Sequence, residues 1–463
     1  MKLTKYILIV VAISALATSC KLGPEYKRPE VVSPEKFRFS TSEDSLQNID
    51  WWTMFNDPDL DTLVKYALDS SLDVLTMASR VDQARYTVGY TKADMMPNFG
   101  IEGGISSGNH GGFNENGSFS AGVNMAWEID FWGKYRSLTD AARAELLATE
   151  FGMRELQLSV ITEVVTQYFF LLDYKARLKV AEKTLETRNK YLDIIQQRFD
   201  VGYAPMIDLN QAQMQVAIAK SAIPVYKRLV VKTENALSIL IGKNPGSVIA
   251  DKDLMETIVP ENIPNGLPSE LLERRPDILQ SEMILAAQNA QIGAAIAMRF
   301  PSISLTGFFG GASNDLSVLN STGLAWNVGA NFLGPLFNFN KNKRRVDIER
   351  EKTEQAIYIY RKTILNAFRE VEDALVDIET YKDEIESREN HFKAADNAQD
   401  LSQQRYDKGV TSYLEVLESQ RQAFESELNL YQTKQEYLNS YIRLYKAIGG
   451  GWISGEEKKN AEE

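Results

Sequence analysis

Two long stretches of the sequence are almost free of residues that end helices. Residues 134–201 contain a single glycine, Gly152, and no proline, and residues 341–408 contain neither. Each stretch predicts one continuous helix of about 67 residues, roughly 100 Å long at 1.5 Å per residue. Globular helices are far shorter, so the chain is restricted to folds built on very long helices.

The end of each stretch carries nearly the same ten residues. QQRFDVGYAP begins at Gln196, and QQRYDKGVTS begins at Gln403. Gly202 and Gly409 occupy the seventh place, where glycine supplies the left-handed conformation that commonly ends a helix. The match extends outward along the chain, which predicts an internal two-fold repeat with a helical hairpin in each copy. A plain hairpin turn would also explain both glycines.

Apolar residues recur every seven positions in the first long stretch, which predicts a coiled-coil seam. They are Leu171, Leu178, Leu185, Leu192 and Phe199, with Tyr174, Ala181 and Ile195 between them. Arg188 is the one exception to the pattern. In the second copy the pattern weakens to Gln399 and Ser402 near the tip, so we expect that end to separate more easily.

A two-residue periodicity precedes each long stretch. From Ser118 to Phe131, apolar side chains alternate with small or polar ones, and similar alternation predicts β-hairpins at 98–132 and 302–337. Four such strands are typical of a transmembrane β-barrel wall but cannot close a barrel. Open edges are not tolerated in lipid, so several copies must pool their strands, and three copies would give twelve. A soluble sandwich sheet is the alternative.

The N-terminus has the pattern of a secretory signal. MKLTKYILIVVAISALATSC contains two lysines, a short apolar run and small residues that end at Cys20, the only cysteine. Because one cysteine cannot form a disulfide within the chain, we expect cleavage before Cys20 and acylation of it as a membrane anchor. An ordinary signal peptide with an incidental cysteine is the alternative.

Composition argues against several classes of function. The net charge of -12 gives no basis for binding nucleic acid, and only two histidines are present, which disfavours a metal site. The sequence lacks a glycine-rich phosphate loop, a nucleophile motif and a Cys/His cluster, so we predict neither a cofactor nor an enzyme.

Several motifs, in this order, resemble one protein family. CKLGPEYKRPE begins at Cys20, WWTMFNDPDLDTLVKYAL at Trp51, WEIDFWGK at Trp127 and ERRPDI at Glu273. With the two tip sequences, they are similar to the TolC-like outer membrane efflux proteins, in the NodT-type lipoprotein branch. The resemblance implies a membrane α+β fold: a homotrimeric 12-stranded β-barrel continuous with a coiled-coil α-helical barrel in the periplasm.

That resemblance also implies partners. The trimer would be the exit duct of a tripartite efflux pump in the outer membrane of a Gram-negative bacterium, and would contact outer membrane lipids. Its protein partners would be a periplasmic membrane-fusion adaptor and an inner-membrane RND-type transporter. A membrane-anchored coiled-coil scaffold lipoprotein without a pore is the alternative, and the alternation at 118–131 argues against it.

By matching motifs, the resemblance implies two sets of functional residues. The adaptor would dock on tip residues Val201, Gly202, Tyr203, Lys408, Gly409, Val410 and Thr411. The periplasmic gate would comprise Tyr406, Glu415 and Glu418, whose carboxylates in three chains would form an acidic ring. Thr411 departs from members that carry a gate arginine there, and a solvated helix face is the alternative for the two glutamates.

The sequence predicts six segments. They are a lipoprotein signal peptide at 1–19, an extended lipid-anchored segment at 20–50, the first repeat at 51–242, an equatorial linker at 243–275, the second repeat at 276–448 and a disordered tail at 449–463.

Overall fold

The structure is a computed structural model that describes residues 21–34, 36–38, 50–106, 118–259, 268, 271–314 and 324–450. The predicted signal peptide, Cys20, the loops inside the two β-hairpins and the predicted tail from residue 451 lie outside these residues. In the described ranges, no helix has both the length and the apolarity that crossing a membrane requires.

The two copies of the repeat contain their described helices and strands in the same order. The first copy comprises α1 (Pro58–Ser70), α2 (Leu72–Ala93), β1 (Asn98–Ser106), β2 (Ser118–Ile129), α3 (Lys134–Asp200) and α4 (Met206–Leu240). The second comprises α5 (Leu271–Arg274), which lies within the predicted linker, α6 (Pro276–Ala297), β3 (Ser302–Ser313), β4 (Leu324–Leu333), α7 (Lys341–Asp407) and α8 (Tyr413–Ala447). A 3-10 helix at Trp51–Phe55 precedes α1. The prediction of two 67-residue helices is confirmed by α3 and α7.

The chain forms two compact units, and both contain parts of each repeat. The first, here called the sheet unit, comprises Met1–Val31, Ser79–Phe151 and Leu279–Thr363. The second, the hairpin unit, comprises Val32–Ala78, Gly152–Ile278 and Ile364–Glu463. The repeat in the sequence therefore does not coincide with the division into units.

All four described strands form one antiparallel sheet in the order β1-β2-β3-β4. Its register aligns the apolar positions across the strands: Ile101 pairs with Val123, which pairs with Phe309, which pairs with Trp326. The neighbouring row, on the opposite face, includes Asn124 and Asn327. The predicted alternation is thus confirmed as one apolar face that extends over all four strands.

This apolar face is open. The side chains of Ile101, Val123, Phe309 and Trp326 are between 48% and 93% exposed. A soluble sandwich would bury such a row under a second sheet, whereas a lipid-facing wall leaves it uncovered in the isolated chain. The exposure favours the barrel wall over the sandwich alternative.

Aromatic residues build one end of the core in the hairpin unit. Trp51 stacks on Tyr445 with ring centroids 5.4 Å apart, and Phe55 meets Phe169 edge-on at 4.9 Å. Asp57 caps α1 by accepting hydrogen bonds from two backbone N–H groups of its first turn, and it also accepts one from the Tyr168 hydroxyl at 2.6 Å. The motif that begins at Trp51 is therefore explained by packing and capping.

The ERRPDI motif joins parts of three helices, and all the residues in contact lie in the hairpin unit. Pro276 is the first residue of α6, where proline fits well because the first N–H groups of a helix have no intrahelical acceptor. Arg275 donates to both Asp277 carboxylate oxygens at 3.0 and 2.7 Å, to Glu370 at 2.7 Å and to the Ala447 carbonyl at 2.8 Å. Its side chain is only 7% exposed. This buried cation ties the start of α6 to α7 and to the end of α8.

A buried carboxylate on α3 makes stability depend on pH. Burial raises the pKa of Asp173 to about 6, although the Arg177 guanidinium 2.7 Å away lowers it in part. Between about pH 4 and pH 6 the unfolded chain loses this proton while the folded chain keeps it, so the free energy of unfolding falls as pH rises.

We expect Asp173→Asn to remove this fall in the free energy of unfolding, measured by denaturant unfolding across this pH range. Asp373→Asn, at an exposed pair with Arg369, is the matched control, and an equal effect of both variants would contradict the assignment.

Candidate functional site

The two hairpin tips in the hairpin unit contain the same turn. The Tyr203 N–H donates to the Arg198 carbonyl at 2.8 Å, and the Gly202 N–H donates to the Phe199 carbonyl at 2.9 Å. Gly202 and Gly409 have φ of 79° and 71°. This pair of bonds around a left-handed glycine is a Schellman motif, which satisfies the last carbonyls of a helix. The second tip has the equivalent bonds between Val410 and Arg405 and between Gly409 and Tyr406.

Behind the turns, both hairpins share one apolar cluster, here called the tip cluster. Its buried members come from α3, α4 and α8, and Tyr406 of α7 packs against it. They are Ile195, Leu209, Ala212, Tyr413, Val416 and Leu417. Because the two hairpins bury these side chains together, moving one tip away from the other would expose part of the cluster to water.

Arg198 crosses from the first hairpin to the second. Its guanidinium lies 5.0 Å from the centroid of the Tyr406 ring and 3.3 Å from an Asp407 carboxylate oxygen. Tyr406 in turn packs on Tyr413 with ring centroids 5.2 Å apart. Arginine over an aromatic ring contributes about 0.5–1 kcal/mol at an exposed site. The structure thus gives the predicted gate residue Tyr406 a cation from the other hairpin.

The two predicted gate carboxylates are exposed on α8, and each has partners within the chain. Glu415 accepts a hydrogen bond from the Thr411 hydroxyl and lies 3.4 Å from the Arg405 guanidinium. Glu418 lies 2.6 Å from Arg421. Thr411, where some members of the resembled family carry arginine, is therefore connected to Glu415, a predicted gate residue, by a hydrogen bond.

Hydrogen bonds from Arg421 and from Gln422 lower the pKa of the Glu418 carboxyl. Both neighbours favour the ionised form, so this carboxylate stays charged well into the acid range. The Glu418 side chain is therefore negatively charged at neutral pH.

The predicted docking residues surround the tip turns and are exposed, apart from half-buried Thr411. Tyr203 is 87% exposed, and Val201 and Val410 are each about two-thirds exposed. The sequence analysis did not identify three further exposed apolar residues at the starts of α4 and α8, namely Met206, Ile207 and Leu414. Such apolar side chains at two adjacent turns form a surface suited to another protein.

Arg198 is a further site residue that sequence reasoning missed. The alignment of the two tips places it opposite Arg405, so both copies keep an arginine at the same position before the turn. That agreement was the available signal. The partners differ, however, because Arg405 lies against Glu415 within its own hairpin while Arg198 reaches the other hairpin.

Comparisons with known proteins agree with this architecture. The family described as "Outer membrane efflux protein" matches residues 63–243 and 267–450. The cation efflux system protein CusC of Escherichia coli K12 is 32% identical over 455 residues, covering 96% of this chain and 99% of CusC. The solvent efflux pump outer membrane protein SrpC of Pseudomonas putida is 32% identical, covering 94% of this chain and 96% of its own. The solved structure of the outer-membrane channel OprN has a TM-score of 0.87 at 27% identity, covering 94% of this chain and all of that chain.

These matches confirm the predicted fold class of outer-membrane channels, with four strands per chain in one sheet and two long helical hairpins. They also confirm an efflux function at the outer membrane of Gram-negative bacteria, and the family is one of transport channels. On the family match, which extends over most of both repeats, the chain belongs to the outer membrane efflux protein family.

Proposed function

We propose that three copies of this chain form the exit duct of a tripartite pump, which passes substrates passively across the outer membrane. The observation that supports this proposal most directly is the exposed apolar row across all four described strands, from Ile101 to Trp326. Within the described sheet, β1 and β4 each have only one neighbouring strand. Lipid cannot satisfy unpaired backbone groups, and three four-stranded sheets would close a barrel of twelve strands.

The hairpin tips are the proposed docking surface for a periplasmic adaptor, which would link the duct to an inner-membrane RND-type transporter. Exposed apolar side chains surround both turns, and their helices are held by the tip cluster behind them. A rigid apolar tip suits the groove or hairpin of a helical partner. The adaptor would contact the same tip residues that the sequence predicts, namely Val201, Gly202, Tyr203, Lys408, Gly409, Val410 and Thr411.

The cargo is proposed to be selected by those partners. CusC is named for cations and SrpC for solvents, although each is about equally similar to this chain. A duct that serves such different cargo requires no specific binding residues of its own. Acylation of Cys20, outside the described residues, stays a prediction.

The gate is proposed to comprise Tyr406, Glu415 and Glu418 near the trimer axis. Carboxylates at i and i+3 lie on the same helix face, so three chains would bring six of them together. Such a ring attracts cations, repels anions and favours separation of the tips. Arg405 and Arg421 would oppose that repulsion within each chain, because they pair with Glu415 and Glu418.

Single-channel conductance of the purified mature trimer in a planar bilayer tests the duct and the gate. We expect a small, cation-selective conductance in the native protein. In Glu415→Gln with Glu418→Gln, the cation-to-anion permeability ratio is expected to fall at least about twofold, because the ring loses its charge. Glu425→Gln is the matched control, since Glu425 lies on the same helix and also pairs with Arg421.

The outcomes separate the two parts of the proposal. A native conductance that the double variant leaves unchanged would retain the duct and reject the gate residues. An assembled trimer that conducts no ions would contradict the duct and favour a scaffold without a pore.

A further inference from the structure

The exception in the heptad pattern is a buried charge. Arg188 of α3 is 4% exposed, although it occupies a seam position where the pattern calls for an apolar residue. The position equivalent to it in the other repeat, counted back from each tip glycine, is the buried Ala395. A helical hairpin of this kind is therefore built without a cation at that place in the same chain.

The contacts of Arg188 do not neutralise its charge. One terminal nitrogen donates to the Gln215 carbonyl of α4 at 2.8 Å, and the guanidinium lies 5.0 Å from the centroid of the Phe424 ring on α8. The buried Nε has no hydrogen-bond acceptor in the described part of the chain. Among the described residues, Arg188 forms no ion pair, and the Glu425 carboxylate acts on it only as a longer-range charge that raises its pKa in part. Burial lowers the pKa of Arg188 to about 10, so it remains protonated at neutral pH.

A small cavity of about 70 Å³ adjoins this cation and is lined by residues of α3, α7 and α8. Gln420 of α8 also lines it, and its buried side-chain nitrogen lacks a partner among the described residues. Asp396 of α7 and Glu427 of α8 lie on its wall as well. The seam therefore contains one layer that is polar, charged and incompletely hydrogen-bonded.

This layer separates two apolar clusters of the seam. Along α3, Ile195 on the tip side belongs to the tip cluster, while Ala181 on the other side packs with Val180 and Phe424. A buried cation without a carboxylate partner has lost its water of hydration, and its contacts in the protein compensate for little of that loss. Separation of the helices returns the cation to water. The seam is consequently weakest at Arg188, and the contacts from there to the tip form one unit that can open.

We propose that Arg188 is a positioning residue that sets where the two hairpins separate when the tip opens. The inference rests on the proposed duct function. In the closed form, the hydrogen bond to Gln215 and the contact with Phe424 hold α3, α4 and α8 in one register. In the open form, the guanidinium gains water, which offsets the loss of those contacts and of the tip cluster.

The test is Arg188→Leu, which makes the heptad continuous. We expect the single-channel conductance of the trimer to fall at least about twofold, because opening would no longer hydrate a charge. Amide hydrogen exchange in residues 413–417, behind the tip, is expected to slow at least about threefold. Arg188→Lys keeps a charge in the seam and should conduct like the native protein. Arg188→Gln, which removes the charge but keeps polar contacts, should shift both readings in the direction of Arg188→Leu.

Arg177→Leu is the matched control, because Arg177 is a second largely buried arginine on α3 but has a carboxylate partner, Asp173. Its loss should speed exchange rather than slow it, since it leaves Asp173 buried and unpaired. If Arg188→Leu behaves like Arg177→Leu, Arg188 is an ordinary structural contact and the inference is overturned. A native trimer that does not conduct would instead refute the proposed duct.

Discussion

Replacing Arg275 by alanine is expected to lower the free energy of unfolding by about 3 kcal/mol, because it removes hydrogen bonds to charged groups, worth about 1.5–3 kcal/mol each, and leaves the Ala447 carbonyl without this donor. Its guanidinium, 7% exposed, holds Asp277, Glu370 and the Ala447 carbonyl. Denaturant unfolding of the detergent-solubilised protein measures the loss.

The control for this variant is Arg369→Ala, one residue before Glu370. Arg369 forms an exposed i,i+4 pair with Asp373, with both side chains about 60% exposed. Exposed pairs of this kind contribute about 0.3–0.5 kcal/mol. Equal losses for the two variants would show that the contacts of Arg275 do not join α6, α7 and α8 in the folded protein.

Replacing Gly242 by alanine is expected to lower the free energy of unfolding by about 3 kcal/mol. Gly242 follows the end of α4 with φ of 70°, a conformation that costs a residue with a Cβ about 1–2 kcal/mol. An added Cβ would also lie 2.2 Å from the Ser70 carbonyl oxygen at the end of α1, so backbone must move, at a typical cost of about 1–3 kcal/mol.

The tip glycines provide matched controls for Gly242. Gly202 and Gly409 have nearly the same positive φ, but a Cβ at either would meet nothing within 4 Å. Their alanine variants should lose only the conformational part, about 1–2 kcal/mol each. Denaturant unfolding measures all three variants. If Gly242→Ala lowers the free energy of unfolding no more than the tip variants do, the backbone at Ser70 moves away from the added Cβ without a measurable cost.

Features that depend on local periodicity could be predicted from the sequence. The absence of breakers predicted α3 and α7, and the alternation of side chains predicted the single apolar face of the sheet. The glycine at the seventh place predicted the end of each helix. Each of these properties is determined by neighbours within a few residues, so the sequence contains the relevant information.

Features that depend on distant partners could not be predicted in the same way. Periodicity identifies which face of a helix is buried but not which residue contacts that face. The sequence therefore showed Arg188 only as an exception to the heptad pattern, and its contact with Phe424 is visible only in the structure. Arg198 meets Tyr406 from another hairpin, a contact between residues 208 positions apart in the sequence. The tip residues were identified by resemblance to the family. Their exposure is consistent with docking, and the docking role itself is a proposal.

The open apolar row of the sheet has a consequence for how the protein is made. A newly exported chain would expose Ile101, Val123, Phe309 and Trp326 to water together with two unpaired strand edges, and such surfaces aggregate. The hairpin unit, by contrast, buries its own aromatic core and tip cluster. If the proposed trimer forms, we expect the hairpin unit to fold first and the strands to be completed only when sister chains and lipid are at hand.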